Sequence, residues 1–122
     1  MSFGRPYILD IDGCIHDGWL VIQDYQETYD MQFLYYVLCS DGVKDQYIAM
    51  AAGSSVQNLN KEKVANVILN APASLEEQSA IASVLSSMDE EISSLEAKRE
   101  KYTSIKQGMM QQLLTGKIRL ID

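Results

Sequence analysis

The 122-residue sequence predicts an α+β protein, a partial strand-rich domain followed by one long coiled-coil-forming helix. Three observations predict it. Residues 1–72 hold nine of the ten aromatic residues, in short apolar runs separated by turn formers. Residues 73–122 carry a sustained heptad of apolar side chains. The two patterns meet at Asn70-Ala71-Pro72, where proline lacks a backbone N–H and restrains the residue before it. The expected domains are therefore 1–72 and 73–122.

In the first domain, Pro6-Tyr7-Ile8-Leu9 reads as a short strand. Asp10-Ile11-Asp12-Gly13 and His16-Asp17-Gly18 supply turn residues. Trp19-Leu20-Val21-Ile22 is a second strand candidate, with Trp19 expected in the core. Residues 29–38 suit a helix or a strand; the spacing of Phe33, Leu34, Val37 and Leu38 favours a helix to about Ser40. Tyr47-Ile48-Ala49-Met50 is another strand candidate, and Gly53-Ser54-Ser55 a loop. Asn60 is placed to cap a short helix over 61–67, with Leu59 and Val64 at the staple positions. Val67-Ile68-Leu69 then leaves as an extended segment.

The second domain opens on a capping box, Ser74-x-x-Glu77. Ile81, Leu85, Met88, Ile92, Leu95, Tyr102, Met109 and Leu113 then recur in steps of four and three, with Arg99 and Lys106 as polar breaks. One helix from 75 to about 115 is expected, roughly 60 Å long at ~1.5 Å per residue. Its apolar stripe needs a facing helix, from a second copy or another chain. The alternative is a hairpin broken near Gly108, burying the stripe within the chain. Gly108 marks a kink or a close backbone approach, and Gly116 a C-cap.

Charge and composition restrict function. Ten basic residues against 17 acidic ones give a net charge of −7, which argues against clamping nucleic acid by bulk charge. DNA contact inside a more basic assembly stays compatible with it. Cys14, Cys39 and the single His16 do not make a zinc site by spacing. The thiols are expected free, small and at least half-buried, and the protein cytoplasmic, with no transmembrane helix. Asp10, Asp12 and Asp17 read as turn formers rather than a catalytic pair, and His16 as a surface or capping residue. No nucleophile–base, metal or phosphate-loop pattern points to an enzyme.

The best base-reading candidates are Ser54, Ser55, Gln57 and Asn58, two hydroxyls and two carboxamides ahead of a helix start. Carboxamides pair bidentately with adenine in the major groove. Free N–H groups at the start of the 61–67 helix can hold a phosphate, with Lys61 and Lys63 adding charge. The simpler reading is a polar loop before an Asn-capped helix.

Three stretches carry a resemblance. They are Pro72-x-x-Leu75-Glu76-Glu77-Gln78-x-x-Ile81-Ala82, then Met88-Asp89-x-Glu91-Ile92-x-x-Leu95-Glu96, then the run from Ile105-Lys106-Gln107-Gly108-Met109-Met110 through Thr115-Gly116-Lys117-Ile118-Arg119-Leu120. Together they resemble the conserved C-terminal region of the specificity (S) subunit of type I restriction-modification enzymes. Asp12-Gly13-x-x-His16-Asp17-Gly18-Trp19, Phe33-Leu34-Tyr35-Tyr36 and Gly53-Ser54-Ser55 resemble the distal part of a target recognition domain of that family.

The resemblance implies a non-catalytic subunit that gives DNA-sequence specificity to methylation and cleavage by its partners. It implies long helices packed antiparallel as spacers, and docking to the modification (methyltransferase) subunit, with the restriction subunit engaged indirectly. S-adenosylmethionine belongs to the modification subunit, so no cofactor is expected on this chain. A homodimer through the long helix is expected. The stretch before the helix is shorter than a whole recognition domain, as in a cloned fragment, a truncated product or a half-subunit. The alternative function is a truncated assembly module that dimerises or docks the modification subunit without reading DNA.

Overall fold

A computed structural model describes residues 4–16, 18–52 and 59–121. The chain divides into two compact units, Met1–Ser83 and Val84–Asp122. Four helices occur among the described residues: α1 Met31–Cys39, α2 Asp41–Ala51, α3 Lys61–Ala65 and α4 Leu75–Leu113.

In the first unit, α1 starts where the Asp30 carboxylate accepts the Phe33 N–H at 2.9 Å. Phe33, Leu34 and Leu38 form its buried face. Ser40 breaks the helix with extended backbone (φ −66°, ψ 153°), and its N–H still bonds to the Val37 carbonyl at 3.0 Å. α2 restarts at Asp41, whose carboxylate favours the positive helix start. It buries Val43, Tyr47 and Ala51, spaced four apart on one stripe.

Leu34, Leu38, Val43 and Tyr47 make the core, and Tyr25, Tyr29, Val37, Leu59, Val64, Val67 and Leu69 pack around it. Leu59 and Val64 thus join the core on either side of the Asn60 cap, as their staple positions predicted. Gly4 has a φ of +65°, and a Cβ there would lie 2.6 Å from the Tyr47 ring. Only glycine fits that backbone and that gap.

The α+β expectation is corrected: there is no strand among the described residues. The candidate strands 6–9 and 19–22 are irregular, and most of their large side chains are exposed. Strand-like composition does not make a strand without a ladder to pair with. Trp19, expected in the core, is 53% exposed. Its ring lies 5.3 Å from that of Tyr7, over whose face Arg5 sits at 5.5 Å. The candidate strand 47–50 is the second half of α2. A four-residue apolar run has no readable period, and the deciding partners, Val43 and Ala51, lie outside it.

Residues 67–69, expected to be extended, lie outside any helix and are held by a side chain. Gln46 Nε2 donates to the Ile68 carbonyl at 3.0 Å, and the Ile68 N–H donates to Gln46 Oε1 at 2.9 Å. One carboxamide therefore satisfies both backbone groups of Ile68, as a strand neighbour would.

α4 runs unbroken through Gly108 for 39 residues. A Cβ on Gly108 would meet open space, so no other part of this chain approaches it closely. The hairpin alternative is thereby overturned. Ser74 Oγ accepts the Glu77 N–H at 3.4 Å at the start of the helix. Gly116 closes the end with a φ of +71°, its N–H bonding to the Leu113 carbonyl at 3.2 Å.

Candidate functional site

The long helix carries the largest assembly of exposed apolar side chains with a regular spacing. Met88, Ile92, Leu95, Tyr102 and Met109, all predicted seam residues, are 45–60% exposed. Ile81 is also exposed, while Leu85 and Leu113 are half-buried. The seam therefore exists as a stripe on one helix, and its wettest members are large. Val84, Ile105 and Met110 are exposed apolar residues beside that stripe.

Charge is unevenly spread along the same helix. Glu76, Glu77, Asp89, Glu90 and Glu91 load its first half with acid. Lys98, Arg99, Lys101 and Lys106 load the second half with base, alongside Glu96 and Glu100. Such a helix carries opposite signs at its two ends, a property that acts over about a Debye length, ~10 Å at 0.1 M salt.

Gln78 fastens the first turn of α4 within the first unit. It is 1% exposed. Its Oε1 accepts the Asp30 N–H at 2.9 Å, and its Nε2 donates to the Thr28 and Pro72 carbonyls at 3.0 and 2.8 Å. Ala82, one turn later, is also buried. Sequence reasoning missed this role, because a glutamine near a helix start ordinarily faces water. The available signal was its position four residues before Ala82, on one face of the helix.

Of the DNA-binding candidates, Ser54, Ser55, Gln57 and Asn58 lie outside the described residues. Lys61 is exposed and Lys63 half-buried, both in α3. The predicted Asn60 cap forms, with Oδ1 accepting the Lys63 N–H at 2.9 Å. That bond uses one of the N–H groups offered to a phosphate, and Glu62 adds a negative charge to the same turn. α3 is only five residues long, so its dipole is small.

His16 caps its own turn: Nδ1 accepts the Gly18 N–H at 3.0 Å. Cys14 and Cys39 are free thiols, and Cys14 is exposed where at least partial burial was expected. An open depression of about 340 Å³ is lined by Tyr25, Gln26, Tyr29, Asp30, Met31 and Leu75. Its one carboxylate, Asp30, already serves as the α1 cap. Among the described residues no group of three or more His, Cys, Asp or Glu is placed to hold a metal ion. No helix among them is long and apolar enough to cross a membrane.

Comparison with known proteins is specific. The family model for the type I restriction modification DNA specificity domain matches residues 2–106. The type I restriction enzyme MjaVIII specificity subunit of Methanocaldococcus jannaschii is 34% identical over 94 residues, covering 77% of this chain and 22% of that protein. The MjaX specificity subunit of the same organism is 32% identical over 107 residues, covering 88% of this chain and 24% of that protein. The chain thus spans less than a quarter of the length of these relatives. No solved structure gives a significant match.

Proposed function

This chain belongs to the type I restriction-modification DNA specificity family, and on that premise we propose that it acts as a non-catalytic specificity and scaffolding element of such a complex. Residues 1–72 would be the distal part of a target recognition domain, and residues 73–122 the helix for spacing, dimerisation and docking of the modification subunit. Methylation and cleavage would be directed by this element and carried out by partner subunits, in the cytoplasm. Ser54, Ser55, Gln57, Asn58, Lys61 and Lys63 are the proposed contacts to DNA in the full complex.

The observation that carries this reading is the half-exposed seam of α4. Half-exposed as they are, the large seam side chains each forgo roughly half of the about 1.5–3 kcal/mol that burying a fully exposed one would provide. A helix keeps such a stripe when another surface covers it.

The test is a mass measurement on the purified full chain, alone and with a modification subunit, by light scattering or sedimentation across concentration. A dimer or a stable complex with that subunit is expected. A monomer that ignores the modification subunit would remove the scaffolding role. DNA binding is then measured on the complex with a methylation-site library.

A second reading is an assembly module that dimerises or docks without reading DNA. The net charge of −7 favours it, because phosphate contacts supply most non-specific DNA affinity. It is distinguished by a complex that forms with full stoichiometry yet shows no sequence preference.

A further inference from the structure

The tail after α4 and a segment of the first unit carry matching patterns. Gly116 ends the helix, and the Ile118 N–H closes onto the Gln112 carbonyl at 3.2 Å. From there the chain alternates basic and apolar: Lys117, Ile118, Arg119, Leu120. Ile118 is 45% exposed and Leu120 81%. Near the other end of the sequence, Leu9, Asp10, Ile11 and Asp12 alternate apolar and acidic. Leu9 is 62% exposed and Ile11 74%. The four charged side chains are exposed too, and none has an ion-pair partner among the described residues. Both segments lie outside any helix. In extended backbone successive side chains point to opposite faces. Each segment, once extended, therefore presents one apolar face and one charged face of a single sign.

Resting on the self-association proposed above, we infer that tail residues 117–120 of one copy pair, in opposite direction, with residues 9–12 of a second copy. All four rungs agree in this register. Leu9 meets Leu120 and Ile11 meets Ile118 on one face. Asp10 meets Arg119 and Asp12 meets Lys117 on the other, with opposite signs at both. The Ile118 N–H is already bonded within its own chain. That suits a rung whose residues exchange no backbone bonds and whose side chains approach closest. A second molecule is the occupant because both apolar faces of the single chain are left in water. Neither segment is a fixed template alone, and the pairing orders both at once. Four rungs are too few to hold by themselves, so they act where another contact already joins the chains.

Other alignments lose this agreement. A slip by one residue opposes a charge to an apolar side chain at every rung left between the two segments. A slip by two keeps two rungs. A pairing in the same direction keeps at most three, because the two patterns start in opposite phase. Residues 9–12 of two copies would set acid on acid, and two tails would set base on base. Charge therefore selects the tail for the acidic segment and excludes like with like. Reciprocal exchange makes every rung twice and closes a two-fold pair.

The test uses the full chain, with association read by sedimentation. Two double variants, Asp10→Lys with Asp12→Lys and Lys117→Asp with Arg119→Asp, are each expected to weaken self-association on the order of tenfold, since like charges then meet at every charged rung. Mixing the two is expected to restore association, because each acidic or reversed segment then meets a tail of opposite sign. In a Cys14→Ser, Cys39→Ser background, Ile11→Cys mixed with Ile118→Cys is expected to give a disulfide-linked dimer, as is Leu9→Cys mixed with Leu120→Cys. Leu9→Cys mixed with Ile118→Cys is not. Equal cross-linking of that last pair overturns the register. A dimer indifferent to charge reversal and without those cross-links overturns the pairing and leaves self-association standing. A wild-type chain that stays monomeric at high micromolar concentration overturns both.

Discussion

Gln78 uses three of its four carboxamide bonding directions on backbone groups: the Asp30 N–H and the Thr28 and Pro72 carbonyls. Replacement by leucine keeps the bulk and leaves those groups without their partner in a buried place. The expected cost is about 2 kcal/mol, toward the upper part of the range for a lost buried hydrogen-bond set. Urea unfolding of Gln78→Leu followed by tyrosine absorbance would show it, and an unchanged midpoint would refute the fastening role. Tyr47 gives a second prediction. Burial pushes its phenol above the ordinary value, because the phenolate would be desolvated. The folded state thus holds the proton more tightly than the unfolded one. Tyr47's contribution is intact below about pH 10 and is lost as pH rises through its folded value. Tyr47→Phe should show a shallower alkaline loss than wild type, read as urea midpoints from pH 8 to 11. Parallel curves would sink the argument. Cap residues such as Asn60 were legible because the requirement is local. Gln78 was not, because its partners at 28 and 30 lie far back in the sequence.

Helices in this chain are legible where several apolar residues cluster at the i, i+3 and i+4 spacing. α4 satisfies that, and its observed start at Leu75 follows the Ser74 box. α1 was readable from Phe33, Leu34, Val37 and Leu38, with Asp30 as the unremarked cap. α2 was misread, since its buried positions Val43, Tyr47 and Ala51 are spread over nine residues and its exposed ones include Ile48. The strand candidates failed for a different reason. Local propensity can favour extension, but strand stability comes from cross-strand pairs that no short run contains. At this scale, Asp30→Ala should cost about 1 kcal/mol by removing the bond to the Phe33 N–H, while Asp30→Asn should keep most of it. Thermal melts of the two variants decide. Equal losses would mean that the carboxylate charge, rather than the cap geometry, holds the start of α1.

On the scale of the whole chain, two kinds of apolar exposure coexist. Tyr7, Leu9, Ile11, Trp19 and Val21 are exposed along irregular backbone, so they give no fixed template for a partner. The α4 seam is exposed along a regular helix, where spacing itself specifies what can fit. The sequence made that second surface readable, along with the family, because a heptad is a repeat and a repeat survives without tertiary context. The DNA-facing residues were not separable from an ordinary polar loop in the same way, since base reading depends on side-chain geometry rather than period.

The difference has a measurable consequence. An isolated helix gains little from its own hydrogen bonds in water, and most helical stability comes from covering an apolar face. Helicity of the full chain should therefore rise with concentration as the seam is covered. Leu95→Glu should abolish that rise and weaken association on the order of a hundredfold, since it sets a carboxylate in the middle of the covered seam. Leu95 is 56% exposed in the single chain, so the change should leave the Tyr47 core of the first unit unaltered. Far-ultraviolet circular dichroism across concentration reads the first effect, and the near-ultraviolet tyrosine signal reads the second. Loss of both signals would mean that Leu95 supports the fold of the single chain. A concentration rise that survives the substitution would mean that the seam is not the surface that is covered.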